Sequence, residues 1–293
     1  MIKLLYVTNQ PDYAAAAIRA GVDRIFVDLE YMGKDERQKG MDTVKSRHTV
    51  EDVRAVRAVV HKPAELLVRI NPLHKESLQE IDAVISAGAD AVMLPMWTDA
   101  EQVASFVRMV NGRVRVIPLL ETAGAATSLD EVLLIKGVDE IFIGLNDLHL
   151  SKEQPFIFCP LADGTVDMLC AKMRRVGMPF GFGGIATMEG GMLPGALVLG
   201  EHVRLGSQAV ILSRSFCCTD LPLASFSRIM AEQIAHLRHR ERYMEQHMTP
   251  EQAAANHTSV CTCVERIMTG MHGAEPRMPR LHTADVLDTE ELA

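Results

Sequence analysis

Eight short, β-rich apolar runs recur along the 293-residue chain, and this recurrence constrains the fold more than any other feature. They are IKLLYVT, DRIFVDLE, ELLVRIN, DAVMLPM, VRVIPLLE, DEIFIGLND, PFGFGG and QAVILSRS, centred near residues 4, 26, 68, 92, 117, 142, 181 and 211. Between them apolar residues fall at helical spacing, as in Tyr13–Ala20, Val50–Val60, Ser77–Ser86 and Ala100–Val110. Strands that are apolar on both faces need cover on both faces, and alternation with helices supplies it around a parallel sheet. Eight such units over about 215 residues predict an α/β fold, the (β/α)8 TIM barrel.

Short glycine motifs set the register. Ala20-Gly21-Val22-Asp23, Ala87-Gly88-Ala89-Asp90, Lys136-Gly137-Val138-Asp139 and Leu205-Gly206-Ser207-Gln208 sit just before the second, fourth, sixth and eighth runs. A glycine there ends the preceding helix in the left-handed conformation, and the polar residue opens the next strand. In that register two gaps are long, Glu30 to about Glu65 and Asn146 to about Gly177. Both follow a strand, so the extra residues project from the C-terminal face of the barrel, where such folds hold their active sites.

After Phe216 the alternation stops. Residues 221–247 read as one long helix, with Phe226, Ile229, Met230, Ile234 and Leu237 on one face. Thr249-Pro250-Glu251-Gln252 then reads as a helix start, a capping Thr, a Pro at the first position and a capping-box Gln. The expected organisation is a barrel domain over 1–220, a helical extension over 221–270 that packs on a neighbouring subunit, and a loosely ordered tail over 271–293.

Composition excludes some function classes. The formal net charge is −8, so no basic footprint points to nucleic acid or an anionic membrane. No apolar run approaches the ~20 residues of a membrane span, and MIKLLYV reads as a first strand rather than a signal peptide. Six scattered cysteines without framework spacing favour a reducing cytoplasm, and Cys261-x-Cys263 lacks the second half of a zinc site.

The strand ends carry the chemistry. Asp28 and Glu30 end the second strand, Arg69 and Asn71 the third, Glu121 the fifth, Asn146 and Asp147 the sixth, Gly183 and Gly184 the seventh, and Ser213 and Arg214 the eighth. Four carboxylates facing one Arg repel one another unless they are protonated or bridged by a cation. Neighbouring parallel strands lie about 4.8 Å apart, which puts Glu121 and Asp147 within reach of one ion. An all-oxygen set of that kind suits Mg²⁺ or Mn²⁺. Each residue has a plainer reading: Glu121 and Asp147 as helix caps, Arg69 as the partner of a barrel carboxylate. If Arg69 instead holds a substrate carboxylate, a metal beside it makes a site for a 2-oxo acid that carries enolate charge. Aldol addition, retro-aldol cleavage and related carbon–carbon lyase steps share that intermediate.

These residues resemble the HpcH/HpaI aldolase and citrate lyase β-subunit family. FVDLE (26–30), LLVRINP (66–72), DAVMLPM (90–96), IPLLETA (117–123) and IFIGLNDL (141–148) follow that family's motifs in order, and the resemblance covers roughly 2–216. It implies a pyruvate-enolate barrel enzyme with a divalent metal held by Glu121 and Asp147, Arg69 on the substrate carboxylate, and the backbone around Gly144 near the ligand. It also implies trimers or hexamers with exchanged C-terminal helices. In the aldolase branch a His commonly follows the D-x-E motif in an acid–base role; here Tyr31 stands there. The acidic residue of the lyase branch's DLED is absent too. His48, in the long loop after the second strand, is the substitute proton carrier to test, with His149 beside Asp147 behind it.

The expected site is therefore Arg69, Asp28, Glu30 and His48 for catalysis and Glu121 and Asp147 for the metal. Arg69, Gly144, Asn146, Gly183 and Gly184 are expected to bind a small oxo-acid with its aldehyde or acyl partner. No coenzyme A site is identifiable. Two alternatives stay open. FGFGGIAT resembles the Gly-rich phosphate turn of phosphosugar isomerases and epimerases, and Tyr31 at the His position fits a non-catalytic barrel of the same family.

Overall fold

The computed structural model describes residues 1–33 and 48–271. Eight strands form as the apolar runs predict: β1 Lys3–Val7, β2 Arg24–Asp28, β3 Glu65–Arg69, β4 Ala91–Leu94, β5 Arg115–Leu120, β6 Ile141–Ile143, β7 Phe180–Ile185 and β8 Ala209–Leu212. They close in sequence order into a barrel, with β8 pairing parallel to β1. Helices α1 Pro11–Ala20, α2 Val50–Arg57, α3 Ser77–Ser86, α4 Ala100–Val110 and α5 Ala123–Val132 separate the first six strands. The long connection after β6 folds into α6 Leu145–Ser151, α7 Cys159–Ala162 and α8 Thr165–Arg175, and α9 Gly195–Leu205 joins β7 to β8.

Alternation along each strand sorts side chains between two cores. Ile25, Val27, Leu66, Val68 and Val92 pack outward under the helices. Leu5, Phe26, Leu67, Met93, Ile117, Leu119 and Phe142 fill the barrel interior as a separate cluster. The same inward positions continue toward both barrel ends, and both ends are charged. At the N-terminal end Arg24 is fully buried and forks onto Glu140 at 2.9 and 3.0 Å, while its other edge reaches Glu65 at 2.7 Å. Arg115 bonds the same two carboxylates, at 3.0 Å to Glu65 and 2.9 Å to Glu140.

The glycine motifs behave as read. Gly21 and Gly206 end α1 and α9 at φ +109° and +72°. The Asp that follows serves the neighbouring strand: Asp23, Asp90 and Asp139 each accept the amide of Leu4, Leu66 and Val116 at 2.8 Å. That geometry gives the recurring Asp a reason beyond loop chemistry, since it satisfies an N–H at the start of the strand beside it.

Two more helices follow the barrel, α10 Leu223–His247 and α11 Pro250–Met271. α10 packs on α1, and Arg238 ties it to Asp23 at 2.8 Å. The capping box forms, with Thr249 Oγ1 accepting the Gln252 amide and Gln252 Oε1 accepting the Thr249 amide. α11 returns over α9 and α7 of its own chain. The tail expected after residue 271 lies outside the described residues. All six cysteines are free, and among the described residues no helix is long and apolar enough to cross a membrane.

Candidate active site

At the C-terminal end of the barrel the inward positions are Asp28, Arg69 and Glu121, with Gly144 beside Glu121. Asp28 and Arg69 are register partners on β2 and β3. Arg69 forks onto Asp28, Nε to Oδ1 and Nη2 to Oδ2, both at 2.8 Å, and its Nη1 lies 3.2 Å from Glu30. The guanidinium carbon sits 5.7 Å from the Phe26 ring centroid. Burial alone would lower the Arg69 pKa, but Asp28 and Glu30 outweigh it and hold the charge firmly. Of the two anions open to Arg69 in the sequence, the structure gives its two-nitrogen edge to a barrel carboxylate.

Glu121 is 2% exposed and follows β5 directly. It does not cap α5: Thr122 does, its Oγ1 accepting the Ala125 amide at 3.0 Å. Glu121 Oε1 instead accepts the Met96 amide at 3.0 Å. Met96 holds φ at +56°, a left-handed conformation uncommon for a side-chain-bearing residue and a form of strain typical of functional sites. Burial pushes Glu121 well above the ordinary carboxylate range. Arg69 opposes the rise, and the charges of Asp147 and Glu30 add to it. Asp147 is buried in the first turn of α6, whose N-cap is Gly144, so it is not the cap of its helix either.

Gly144 is needed for space rather than for its backbone angle, which is an ordinary φ of −86°. A Cβ there would lie 2.9 Å from Glu121 Oε2 and 3.0 Å from its Cβ. The missing side chain thus makes the room in which Glu121 stands between β5 and α6.

The remaining expected residues fall as follows. His48 is brought to the end of β2, where its Nδ1 accepts the Asp28 amide at 3.0 Å. Asn146 is half-buried in the first turn of α6. Gly183 and Gly184 lie inside β7, at a register shift against β8, rather than in a turn beyond it. Gly183 has φ +55°, and a Cβ there would meet Leu145 at 2.8 Å, so this glycine lets α6 approach the strand closely. His149 is buried with Nδ1 donating to the Leu145 carbonyl at 3.2 Å, turned back along its own helix. The Tyr31 ring is 68% exposed.

A second group of donor atoms lies outside the barrel, where Asp167, Glu201 and His257 bring one ligand atom each within 4.8 Å of one another. Arg204 already occupies that junction, forking onto Asp167 at 2.6 and 2.9 Å and bonding Glu201. With a guanidinium in place, the group reads as the ion-pair joint of α8, α9 and α11. Reading the sequence alone missed Met96 and the Arg24–Glu65–Arg115–Glu140 layer. The layer left a signal, a charged residue at the inward position opening each of four strand runs. Met96 left none.

The structure is a (β/α)8 barrel that gathers four carboxylates and an Arg at its C-terminal strand ends, the face where such folds hold their active sites. The sequence profile of the HpcH/HpaI aldolase/citrate lyase family matches residues 3–154, a span holding all five of those side chains, and the chain belongs to that family of aldolases and lyases. Among curated protein sequences no significant match is found. A solved HpcH/HpaI aldolase/citrate lyase family protein from Burkholderia cenocepacia J2315 is similar in fold, with a TM-score of 0.58 and 18% identity over 81% of this chain and 93% of that one. A HpcH/HpaI aldolase from Desulfitobacterium hafniense DCB-2 matches at the same TM-score, 0.58, with 17% identity over 81% and 93% of the two chains.

Proposed function

We propose that this protein is a divalent-metal-dependent carbon–carbon lyase that makes or cleaves a 2-oxo or hydroxy acid through a pyruvate-type enolate. The observation that carries the reading is Glu121, a buried carboxylate pushed toward protonation by burial and by two acidic neighbours. A hard cation reverses that penalty, and the oxygen donors Glu121 and Asp147 beside the Gly144 gap fit Mg²⁺ or Mn²⁺. Held there, such a cation would act as the Lewis acid that stabilises enolate charge.

The chain's own residues divide the remaining work. The Met96 amide orients Glu121, and Arg69 holds Asp28 and Glu30 apart from it while adding positive potential to the mouth. Asn146 and the backbone of Gly144, Gly183 and Gly184 line the approach for the oxo-acid. His48 Nδ1 is occupied by the Asp28 amide, so a neutral ring carries its proton on Nε2. In the addition direction the enolate carbon bonds to the aldehyde carbon as the C=O π bond opens onto oxygen, and Nε2–H protonates that oxygen, the ring then regaining its proton from water. Mg²⁺- or Mn²⁺-dependent deuterium exchange into the methyl group of pyruvate tests the reading; no exchange, together with Glu121→Ala behaving as wild type, would sink it. The trimer or hexamer implied by the resemblance belongs to the same reading, and a monomeric light-scattering mass would remove it.

A further inference from the structure

Two residues past Arg69, Asn71 is 4% exposed and fully engaged. Its Oδ1 accepts the amides of both Tyr31 and Met32 at 3.1 Å. Its Nδ2 donates to Glu80 Oε1 at 2.8 Å, and the same oxygen accepts the Asn71 amide at 3.1 Å. The other Glu80 oxygen accepts His74 Nε2 at 3.1 Å, while His74 Nδ1 accepts the Glu76 amide at 3.2 Å. Donors and acceptors are therefore assigned without ambiguity from α3 to the peptide just beyond Glu30.

That peptide needs holding. Glu30 is 1% exposed with its carboxylate 3.2 Å from Arg69, so the course of the backbone just beyond it sets where that carboxylate sits. On its N-terminal side the Glu30 amide donates to Asp28 Oδ1 at 3.2 Å. On its C-terminal side Asn71 supplies two of the hydrogen bonds that hold the chain.

We propose that Asn71, fixed by Glu80, is a positioning residue that clamps the 31–32 peptide and so keeps Glu30 at Arg69 and the acidic mouth. The residue type follows from the geometry. An Asp would set a carboxylate oxygen against Glu80 Oε1 in a buried place, and a Gln is one methylene too long for both amides. The catalytic consequence rests on the lyase reading above; the clamp itself does not.

Glu80→Gln and Glu80→Ala approach the clamp from its far side, so the test survives if an Asn71 variant fails to fold. The readouts are amide hydrogen exchange at Tyr31 and Met32, and kcat and KM for pyruvate methyl exchange with Mn²⁺. Asn71→Ala is expected to speed exchange of the two amides about tenfold and to lower kcat about 10- to 100-fold, leaving KM within about twofold. Glu80→Ala should do the same. Glu80→Gln, whose Oε1 accepts the same two N–H groups, should restore both once His74→Ala removes the ring N–H that would otherwise face its amide nitrogen. Unchanged amide exchange in both Asn71→Ala and Glu80→Ala overturns the clamp, and faster amide exchange with wild-type kcat overturns the positioning role. A wild-type protein that exchanges no pyruvate protons defeats the lyase reading instead, and the amide data still decide the clamp.

Discussion

At the N-terminal end of the barrel interior, Arg24 and Arg115 meet Glu65 and Glu140; at the C-terminal end, Arg69 meets Asp28 and Glu30 with Glu121 and Asp147 close by. The first group balances two cations against two anions. The second sets four carboxylates around one guanidinium. Burial would raise Glu140 and Glu65, yet Arg24 and then Arg115 bring both below the ordinary carboxylate range. Burial raises Glu121 too, and there the neighbouring carboxylates reinforce it against Arg69. Similar side chains at the two ends of one sheet thus make a structural plug at one end and an unfinished site at the other. The excess of negative charge separates them.

The comparison breaks most directly at Glu121. Glu121→Gln should cost on the order of 10³-fold in Mg²⁺-dependent pyruvate methyl exchange. The same change should stabilise the metal-free protein by roughly 1 kcal/mol in urea unfolding at pH 7, because it takes one of the crowded carboxylates out of the mouth. At the other end Glu140→Ala should lower stability by about 3–5 kcal/mol, leaving a buried guanidinium short of a partner. Isothermal titration with Mn²⁺ should find its metal affinity unchanged; a plug variant that loses metal instead would erase the distinction between the two ends.

Smaller effects sharpen it. Gly144→Ala places a methyl 2.9 Å from Glu121 Oε2, so Mn²⁺ affinity should weaken about tenfold, with a stability loss of about 1–3 kcal/mol in urea unfolding. The pH dependence should follow the plug with a definite sign. Glu140 and Glu65 have folded pKa values below their unfolded ones, so the stability they contribute is present above about pH 4.3 and is lost as pH falls through the folded values. Acid unfolding of Glu140→Gln should show the shallower slope below that pH, by at most ~1.4 kcal/mol per pH unit.

Much of the site was legible before the fold was known. Asp28, Glu30, Arg69, Glu121 and Asp147 stand at the ends of apolar runs, and a parallel barrel gathers all such ends at one mouth whatever the helices do. Gly144 was expected near a ligand only through the family resemblance, and the structure sets it beside Glu121. The resemblance did not say why Gly144 is glycine, since the reason is a carboxylate on the neighbouring strand. Gly183 and Gly184 were open to two readings, a strand end or a phosphate turn, because a bulged strand and a glycine-rich turn read alike in one dimension.

Periodicity of apolar residues determined the eight strands, their order and which end of each faces the mouth, because burial on both faces is a local property of each run. That Arg69 needs an anion was also fixed by local sequence, since a buried guanidinium requires one anywhere. Which anion it takes, the left-handed Met96 amide on Glu121, the Glu80–Asn71 clamp and the balanced plug below were decided only by the tertiary structure. Each is a contact between strands or loops far apart in the chain, set by register and sheet closure.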